Sequence, residues 1–421
     1  MFDLDRWQEI YSSLKHNKLR TFLTVFGVFW GIFMLMIMLG SSNGLTNGVT
    51  EGMKSFATNS AFVWTQRTTK PYKGFQRGRR WNFTNSDMID IRKNIHEISE
   101  LAPRLQGWGG DGSNNAIRGL KSGSFTISGD YPQINKIDAV SILKGRFLNN
   151  VDILEKRKIC VIGSHVKDVL FENDEEAVGK YIKIQNVYFK VVGVFKPKNT
   201  KVNIGGEKDK TIFLPFTTLQ QTYNYGDVVH YFAVTAKKGI PVAQIEDKVI
   251  KLLKKRHKID PTDEQAVGHF NVEKEVRKIN ILFTGMSVLI WIVGIGTLLA
   301  GVIGISNIML VVVKERTKEI GIKRAIGATP RKVIGQIISE SVFLTTIAGY
   351  SGLVIGVGIV QGINLILQKS GADTGMFSNP GIDFNIAIIS LIIIIVSGIL
   401  AGLLPAYRAV KIKPIEALRS E

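Results

Sequence analysis

Four long stretches without a charged residue stand out in the hydrophobic pattern of the chain. They are Thr21–Leu39, Ile279–Val313, Ser341–Gln368 and Phe384–Tyr407. A helix needs about 20 apolar residues to cross the hydrocarbon of a bilayer, and each stretch comes close to or exceeds that length. The sequence therefore predicts four transmembrane helices, at residues 21–43, 279–313, 333–368 and 384–407.

Residues 1–20 precede the first predicted span and have a different pattern. Apolar residues recur at helical spacing opposite charged ones, at Trp7, Ile10, Tyr11 and Leu14. This pattern predicts an amphipathic helix that lies in the membrane interface. The first span is too long for the core of a cleaved signal peptide, which usually has about 7 to 15 residues, and no small-residue cleavage site follows it.

The second uncharged stretch is longer than one crossing requires. Its 35 residues would extend roughly 52 Å as a helix, against about 30 Å of hydrocarbon. Val272, Val276 and Ile279 continue the helical spacing toward the N-terminus. We therefore predict one continuous helix that leaves the membrane and enters the domain before it.

Residues 44–278 contain turn residues, mixed charges and short strand patterns, which predict a folded domain of mixed α and β structure. Lys158–Ile162 is typical of a strand, and a short helical pattern follows it. Tyr181–Phe195 alternates around Gln185-Asn186 as a β-hairpin does. Val242–Leu253 has the single apolar face of an amphipathic helix.

The chain is basic, with a formal net charge of +19 and one cysteine. Basic surfaces can bind nucleic acid, but the basic residues beside the apolar stretches follow the positive-inside rule instead. We expect no nucleic-acid binding. Cys160 has no partner for an intramolecular disulfide, and we interpret it as a small buried apolar residue. Thr65–Arg80 carries six basic residues, and we expect a solvated, flexible loop there with no assigned function.

The short loops predict the orientation. Residues 314–332 carry seven basic residues and the tail 408–421 carries four, whereas the loop 369–383 has Lys369 alone. Cytoplasmic loops are enriched in Lys and Arg. With four spans, both termini and residues 314–332 should therefore be cytoplasmic, and residues 44–278 should face outward.

The sequence contains no recognisable catalytic or metal-binding arrangement. GxxxxGK[ST], HExxH and GxSxG motifs are missing, and the six histidines show no metal-ligand spacing. We expect the chain not to be an enzyme and to bind no cofactor or metal by itself.

The most informative segment is KERTKEIGIKRAIGATPRK at residues 314–332. Spacing for ion pairs on a helix surface is found for Glu315 with Lys318 and for Glu319 with Lys323. An apolar side is supplied by Ile320, Ile322, Ala325 and Ile326. These residues fit a short amphipathic helix that docks into a groove of a partner. They fit a solvated basic loop that only sets the topology equally well.

Two further sets of residues concern helix contacts. Gly27 and Gly31 form a GxxxG spacing in the first span, and Gly352 and Gly356 do so in the third. Such spacings let helices approach closely in a membrane, so we predict that these glycines pack against other helices. Glu340 lies at the edge of the third span, and we expect it to pair with a nearby Lys or Arg rather than to relay protons.

Two runs resemble the MacB and FtsX family of ABC transporter permeases. SNIMLVVVKERTKEIGIKRAIGATPRKVIGQIISES at Ser306–Ser341 is similar to the family's region around the second and third spans, and GLLPAYRAVKIKPIEALR at Gly402–Arg419 resembles its C-terminal signature. In the family, the first region holds the coupling helix on which the ATPase subunit sits. The resemblance implies an ATPase-coupling interface at Lys314, Glu315, Arg316, Thr317, Lys318, Glu319, Ile320, Gly321, Lys323, Arg324, Ile326 and Gly327.

Further motifs resemble the MacB-like periplasmic core domain: GRFL at Gly145–Leu148, KICVIG at Lys158–Gly163 and VGKYIKI at Val178–Ile184. The family divides this domain into a porter part and an inserted sabre part. This implies a porter part at residues 44–105 and 206–278 and a sabre part at residues 106–205. The expected fold is an integral membrane α-helical protein with four transmembrane helices and a large mixed α+β periplasmic domain.

The resemblance also implies a function. ATP and Mg would bind to a partner ATPase, whose hydrolysis moves the coupling helix and, through the long second helix, the periplasmic domain, so that export is driven by mechanotransmission. We expect this ATPase to be a separate chain, because no fused ATPase domain precedes the first span. The family further implies a second permease copy or paralogue, a periplasmic adaptor with an outer-membrane channel, and a location in the bacterial inner membrane.

Two alternatives stay open within this family. One is a lipoprotein-releasing permease that passes acylated proteins to a soluble carrier. The other is an FtsX-like regulator that activates a cell-wall hydrolase and transports nothing. The regulator is disfavoured because its outer domain tends to be smaller than the roughly 240-residue domain expected here. Export and lipoprotein release are compatible with the same residues, as are a homodimer and a heterodimer.

Overall fold

The structure of the chain is a computed structural model. It describes residues 18–53, 55–107, 115–172, 174–198, 207–370 and 377–412. Most of the amphipathic helix predicted for residues 1–20 and most of the tail 408–421 therefore lie outside the described residues. The chain divides into two compact units: Met1–Val49 with Ile281–Glu421, and Thr50–Asn280.

The described helices are α1 (Lys18–Met53), α2 (Asn85–Asn94), α3 (Ile134–Ile137), α4 (Asn150–Leu154), α5 (Ser164–Leu170), α6 (Phe216–Thr222), α7 (Val242–Arg256), α8 (Val272–Glu315), α9 (Thr317–Ala325), α10 (Pro330–Ser370) and α11 (Phe384–Val410). The described strands are β1 (Ser60–Thr65), β2 (Phe83–Thr84), β3 (Ile98–Gly107), β4 (Asn115–Arg118), β5 (Lys121–Ser124), β6 (Thr126–Asp130), β7 (Val140–Gly145), β8 (Ile159–Gly163), β9 (Tyr181–Ile184), β10 (Val187–Pro197), β11 (Thr211–Pro215), β12 (Val228–Val229), β13 (Tyr231–Ala236) and β14 (Val267–Asn271). A 3₁₀ turn covers Lys208–Lys210.

Four of the described helices are long and apolar enough to cross a membrane. The qualifying segments are Val25–Met53, Val272–Glu315, Pro330–Lys369 and Phe384–Val410. Three of these segments contain the spans predicted at 279–313, 333–368 and 384–407, and the first overlaps the span predicted at 21–43 from residue 25 onward. The prediction that the second span continues backward as one helix is also confirmed, because α8 is unbroken over 44 residues.

The first helix ends later than the sequence analysis predicted, at Met53 rather than at residue 43. The turn-forming residues of this segment are held in the helix by contacts with the chain before α11. Asn43 Nδ2 donates to the carbonyl of Gly381 at 3.0 Å, and the carbonyl of Gly44 accepts from Ser378 N at 3.0 Å. Such tertiary contacts override weak helix propensity.

The long helices combine a packed side with an apolar exposed side. Ile32, Leu35 and Met36 of α1 are buried in a cluster that includes Ile290 and Leu298 of α8. By contrast, other large apolar side chains are at least 61% exposed, among them Leu282, Leu289 and Ile292 of α8. An exposed apolar surface of this extent is typical of contact with lipid or with another protein.

The unit Thr50–Asn280 is built on one sheet of 12 strands, in the order β14-β1-β13-β3-β6-β11-β8-β10-β9-β4-β5, with β7 also paired to β10. Two pairs are parallel, β10 with β8 and β11 with β6. Strands β2 and β12 form a separate two-stranded ribbon. Helices α2, α5, α6 and α7 cover the sheet, and their apolar residues join its largest buried cluster. The domain is therefore of mixed α and β structure, as predicted.

The local predictions within this domain hold. The strand and helix predicted for 158–171 are β8 and α5. The predicted hairpin is β9 and β10, and Gln185 and Asn186 at its turn have φ of 44° and 69°, as a type I′ turn requires. Cys160 is fully buried, and this burial raises the pKa of its thiol.

Two other predictions concern this domain: the porter and sabre division, and the flexible loop at residues 65–80. The porter and sabre division stays a prediction, but its boundary at residue 106 falls inside β3, where Gln106 and Gly107 still pair with Ser128 and Ile127 of β6. Residues 65–80 are mostly exposed, as predicted, but the segment has a defined conformation in place of the predicted flexible loop. The backbones of Tyr72 and Phe75 pair with each other, and hydrogen bonds from both sides hold the segment in a defined conformation.

Candidate functional site

The segment with the predicted coupling residues is a short helix between two breaks. Helix α8 ends at Glu315, and Arg316, with φ of −93° and ψ of 17°, separates it from α9. Gly327 has φ of 103° and closes α9, because its N–H donates to the Arg324 carbonyl at 3.1 Å and Ala328 N donates to the Lys323 carbonyl at 3.0 Å. This is the Schellman arrangement, which favours glycine. Helix α10 then begins at Pro330, a position that suits proline.

An ion pair attaches the start of this segment to α10. Arg316 Nη1 lies 3.4 Å from Glu340 Oε1, and Gln336 Nε2 donates to the same oxygen at 3.3 Å. Glu340 is 7% exposed, so its charge needs such partners. The predicted pairing of Glu340 with a Lys or Arg is confirmed. Arg316 therefore has an internal partner, and its predicted place in the ATPase-coupling interface stays a prediction.

A second arginine attaches the end of α9 to the end of α11. Arg324 Nη1 donates to the carbonyls of Val410 and Ile412 at 2.5 and 2.6 Å. The last carbonyls of a helix lack partners within the helix, and a cation there also interacts favourably with the helix dipole. Arg324 thus makes an internal contact, and its place in the interface with the ATPase, which the resemblance implies, stays a prediction.

The apolar residues of α9 do not form one face, contrary to the prediction. Ile320 packs against the buried cluster of the four long helices, and Gly321 is buried as well. Ile322 and Ile326 are 41% and 82% exposed on the other side. At 3.6 residues per turn, residues two apart point in nearly opposite directions, which separates Ile320 from Ile322.

The outer side of the segment combines these two isoleucines with charged groups. The exposed residues of the segment are Lys314, Glu315, Lys318, Glu319, Ile322, Lys323, Ala325, Ile326 and Gly327. Of these, Glu319 and Lys323 lie on the inner side, where they line a small cavity with Arg316, Ile320 and Glu340. The Glu315 and Lys318 pair predicted for one helix is not in one helix, because Arg316 separates them. Glu319 and Lys323 do share α9. Thr317 donates from Oγ1 to the Lys314 carbonyl at 2.7 Å and thereby supports the break before α9.

The four predicted packing glycines lie against other helices. A Cβ on Gly27 would be 3.7 Å from Gly301 Cα, and one on Gly31 would be 3.5 Å from Leu298, both on α8. On α10, a Cβ on Gly352 would be 2.5 Å from the Phe29 carbonyl oxygen of α1. One on Gly356 would be 2.8 Å from Met36 Cβ. The backbones approach here because no side chain intervenes.

The partners of Arg324 were not predicted from the sequence. The carbonyls of Val410 and Ile412 lie 86 and 88 residues further along the chain, and no local pattern marks them. Within the described ranges, no group of three or more His, Cys, Asp or Glu is placed to hold a metal. The segment does present an exposed surface of apolar and charged side chains.

Two family models together cover most of the chain. The MacB-like periplasmic core domain matches residues 21–252, more than half of the 421 residues. The FtsX-like permease C-terminal domain matches residues 291–414, which include α9. The chain belongs to the MacB/FtsX family of ABC transporter permeases.

Individual members of this family are similar to the chain at modest identity. The macrolide export ATP-binding/permease protein MacB of Bdellovibrio bacteriovorus is 29% identical over 82% of this chain and 50% of its own length. The pyoverdine export ATP-binding/permease protein PvdT of Pseudomonas entomophila is 28% identical over 96% of this chain and 58% of its own length. The chain spans between about half and three fifths of the curated relatives that it matches.

A solved structure resembles the chain as well. The periplasmic region of MacB from Actinobacillus actinomycetemcomitans has 19% identity and a TM-score of 0.43, over 55% of this chain and 97% of that structure. Because the chain belongs to the MacB/FtsX family and has four apolar helices, we conclude that it is a membrane protein with a periplasmic domain. Its family relatives are components of ABC transporters.

Proposed function

We propose that this chain is the permease part of a MacB-type ABC exporter, in which a partner ATPase docks on α9 and drives the periplasmic domain by mechanotransmission. In this proposal α9 is cytoplasmic, both termini are cytoplasmic, and the membrane is the bacterial inner membrane. ATP and Mg bind to the partner. The positively charged segment 314–332 supports this orientation, because cytoplasmic loops are enriched in Lys and Arg.

The observation that carries the proposal is the contrast between the two sides of α9. Arg316 and Arg324 attach its inner side to α10 and α11, whereas Ile322 and Ile326 are exposed on its outer side. Exposed apolar side chains ringed by charged ones are typical of protein interfaces. Since Arg316 is the single residue between α8 and α9, a partner that displaces α9 would act on three long helices together.

The test is Ile326→Glu in the full chain, reconstituted in lipid with the ATPase. Burying an unpaired carboxylate in an apolar contact costs more than about 1.4 kcal/mol, so we expect at least about tenfold weaker ATPase binding and a matching loss of transport. The control is Leu120→Glu, which introduces the same charge at a fully exposed leucine of the periplasmic domain.

The control should bind the ATPase as the unchanged chain does. If Ile326→Glu binds and stimulates the ATPase normally at an unchanged melting temperature, docking on α9 is wrong. We propose the ATPase as a separate polypeptide. A tagged native protein whose mass leaves room for an ATPase domain would contradict that part of the proposal while leaving the docking surface intact.

We propose export as the transport reaction because the names of the curated relatives describe macrolide and pyoverdine export. The expected partners are a second permease copy, a periplasmic adaptor and an outer-membrane channel. Purification of the tagged chain from native membranes with a non-hydrolysable ATP analogue tests this. Recovery of a lipoprotein carrier would instead favour lipoprotein release, and recovery of a cell-wall hydrolase would favour regulation.

A further inference from the structure

Residues 66–82 follow β1 in the periplasmic domain and form a strongly charged surface, which we name the basic arm. It contains six cationic residues and no Asp or Glu. The cationic residues are Arg67, Lys70, Lys73, Arg77, Arg79 and Arg80. A charge of this density on one segment produces a strong local positive potential.

The tip of the basic arm is a tight hairpin with two aromatic side chains. Tyr72 and Phe75 exchange two backbone hydrogen bonds, each of 3.0 Å. Between them Lys73 and Gly74 have φ of 46° and 85°, the left-handed region that a type I′ turn requires at both positions. Phe75 is 42% exposed. The tip thus presents a ring and cations in a fixed arrangement.

The base of the basic arm is held on both sides. Thr68 N donates to the Arg79 carbonyl at 3.1 Å, and Gly78 N donates to the Thr68 carbonyl at 2.6 Å. On the outer side, the carboxylate of Asp263 accepts from Thr69 N and Thr69 Oγ1, both at 2.7 Å. Burial would raise the pKa of Asp263, but the hydrogen bonds from Thr69 outweigh it and lower the pKa. Asp263 therefore stays charged and holds the arm.

One arginine has a structural role and leaves the others available. Arg79 Nη2 donates to the His257 carbonyl at 2.5 Å, and its guanidinium lies 4.1 Å from the ring centre of Phe75. Arg67, Arg77 and Arg80 are exposed. The contact with His257 also places the exposed Lys255, at the end of α7, and the exposed Lys258, just after it, beside the arm, which extends the positive surface.

The basic arm follows the last residue of β1, Thr65. Ala61 pairs with Asn271, the residue before α8, whereas Thr65 pairs with Val267 at the other end. Four residues of strand correspond to about 13 Å. Within this domain, the basic arm and the residue before α8 therefore lie at opposite ends of the same strand pair.

We propose that the basic arm is a docking surface for the acidic surface of another protein on the periplasmic side. The arm combines arginines with aromatic residues, and both are enriched at the centres of protein interfaces. Arginine also pairs with carboxylates through two parallel hydrogen bonds. The fixed backbone lowers the entropy lost on binding. The opposite charge of the partner would accelerate association and make it sensitive to salt.

The experiment replaces Phe75 with p-benzoylphenylalanine in the full chain and irradiates intact cells. A protein adduct is expected, and mass spectrometry should map its site to a segment with an excess of Asp and Glu. The same probe at Leu120, a fully exposed residue elsewhere in the domain, should not give this adduct.

Charge reversal distinguishes docking from mere proximity. Arg77→Glu with Arg80→Glu should lower the adduct yield by about tenfold, as expected for like charges across an interface. The matched control is Lys190→Glu with Lys196→Glu, two exposed lysines of β10, which should leave the yield unchanged. Melting temperatures should agree among all variants. The proposal would be overturned if Phe75 gave no adduct, or an adduct with lipid or an envelope polymer. It would also be overturned if the cross-linked segment had no excess of Asp and Glu, or if charge reversal left the adduct yield unchanged.

Discussion

Arg316 Nη1 lies 3.4 Å from Glu340 Oε1, and the two side chains are 18% and 10% exposed. The pair connects the break between α8 and α9 to the side of α10. An uncompensated charge at a largely buried position is unfavourable, so neither partner is expected to be replaceable alone. The contact makes Arg316 part of the internal structure that positions α9.

Replacing Arg316 with alanine should therefore lower stability. We expect a cost of about 1–3 kcal/mol, the usual penalty for leaving a buried polar group without its partner. Thermal unfolding of the full chain in detergent measures it. The control Lys314→Ala removes an exposed cation from the preceding turn and should change stability by less than about 0.5 kcal/mol.

A double-mutant cycle with Glu340→Gln tests whether the two residues act together. The double variant should cost less than the sum of the two single variants, because each single change already removes the same contact. Strict additivity would show that the ion pair does not contribute to stability.

The close contact of α10 with α1 predicts that Gly352→Ala is destabilising. A Cβ at position 352 would be 2.5 Å from the backbone oxygen of Phe29. A backbone atom cannot move aside as a flexible side chain can. Overpacking of this kind costs about 1–3 kcal/mol. Gly358 is on the same helix, and a Cβ there would meet no atom within 4 Å. Gly358→Ala should therefore change stability very little. Equal melting temperatures for both variants would contradict this packing.

The sequence predicted the long helices well because charge is excluded from hydrocarbon over their whole length. The end of α1 escaped prediction, since Asn43 and Gly44 resemble a turn locally and are held in a helix by residues after 376. Similarly, the partners of Arg324 lie 86 and 88 residues away. Contacts between residues so far apart along the chain cannot be predicted from a local sequence pattern.

The composition of the basic arm was visible in the sequence, but its order was not. Many basic residues and few apolar ones usually indicate a solvated loop. Here the conformation depends on Asp263, which accepts hydrogen bonds from Thr69 almost two hundred residues earlier, with a separation of 194. The Lys73-Gly74 turn was the one local signal for a hairpin at this position.

A buried ion pair in the periplasmic domain leads to a third prediction. Lys208 Nζ pairs with Asp138, and the side chains are 6% and 2% exposed. Burial lowers the pKa of Lys208 and raises the pKa of Asp138. The charge of each residue opposes the shift that burial causes in its partner. Lys208→Met should cost about 3–5 kcal/mol in chemical unfolding, because it leaves Asp138 buried without its cation.

The double variant Lys208→Met with Asp138→Leu should recover most of that loss, since replacing both charges with apolar groups is often neutral or favourable. A double variant as unstable as Lys208→Met alone would mean that the ion pair does not account for the effect.

The buried carboxylate of Asp87 should make the stability of the periplasmic domain depend on pH. Its carboxylate is fully buried and accepts hydrogen bonds from Thr84 N at 2.8 Å and Arg256 Nε at 2.7 Å, while His257 Nε2 lies 2.8 Å away. Burial would raise the pKa of Asp87, but the hydrogen bonds with His257, Thr84 and Arg256 outweigh it and lower the pKa from 3.8 to about 2.

Because the folded state holds the proton on Asp87 more weakly than the unfolded state does, this carboxylate stabilises the fold above pH 3.8. That contribution is about 1–2 kcal/mol after allowance for solvent screening, and it is lost as the pH falls toward 2. Asp87→Asn should therefore unfold at a lower denaturant concentration than the unchanged chain at pH 7, and the gap should narrow between pH 4 and pH 2. The exposed Asp247 provides the control, since Asp247→Asn should follow the unchanged chain at every pH. A gap for Asp87→Asn that stays constant with pH would show that the loss comes from the changed helix cap rather than from the charge.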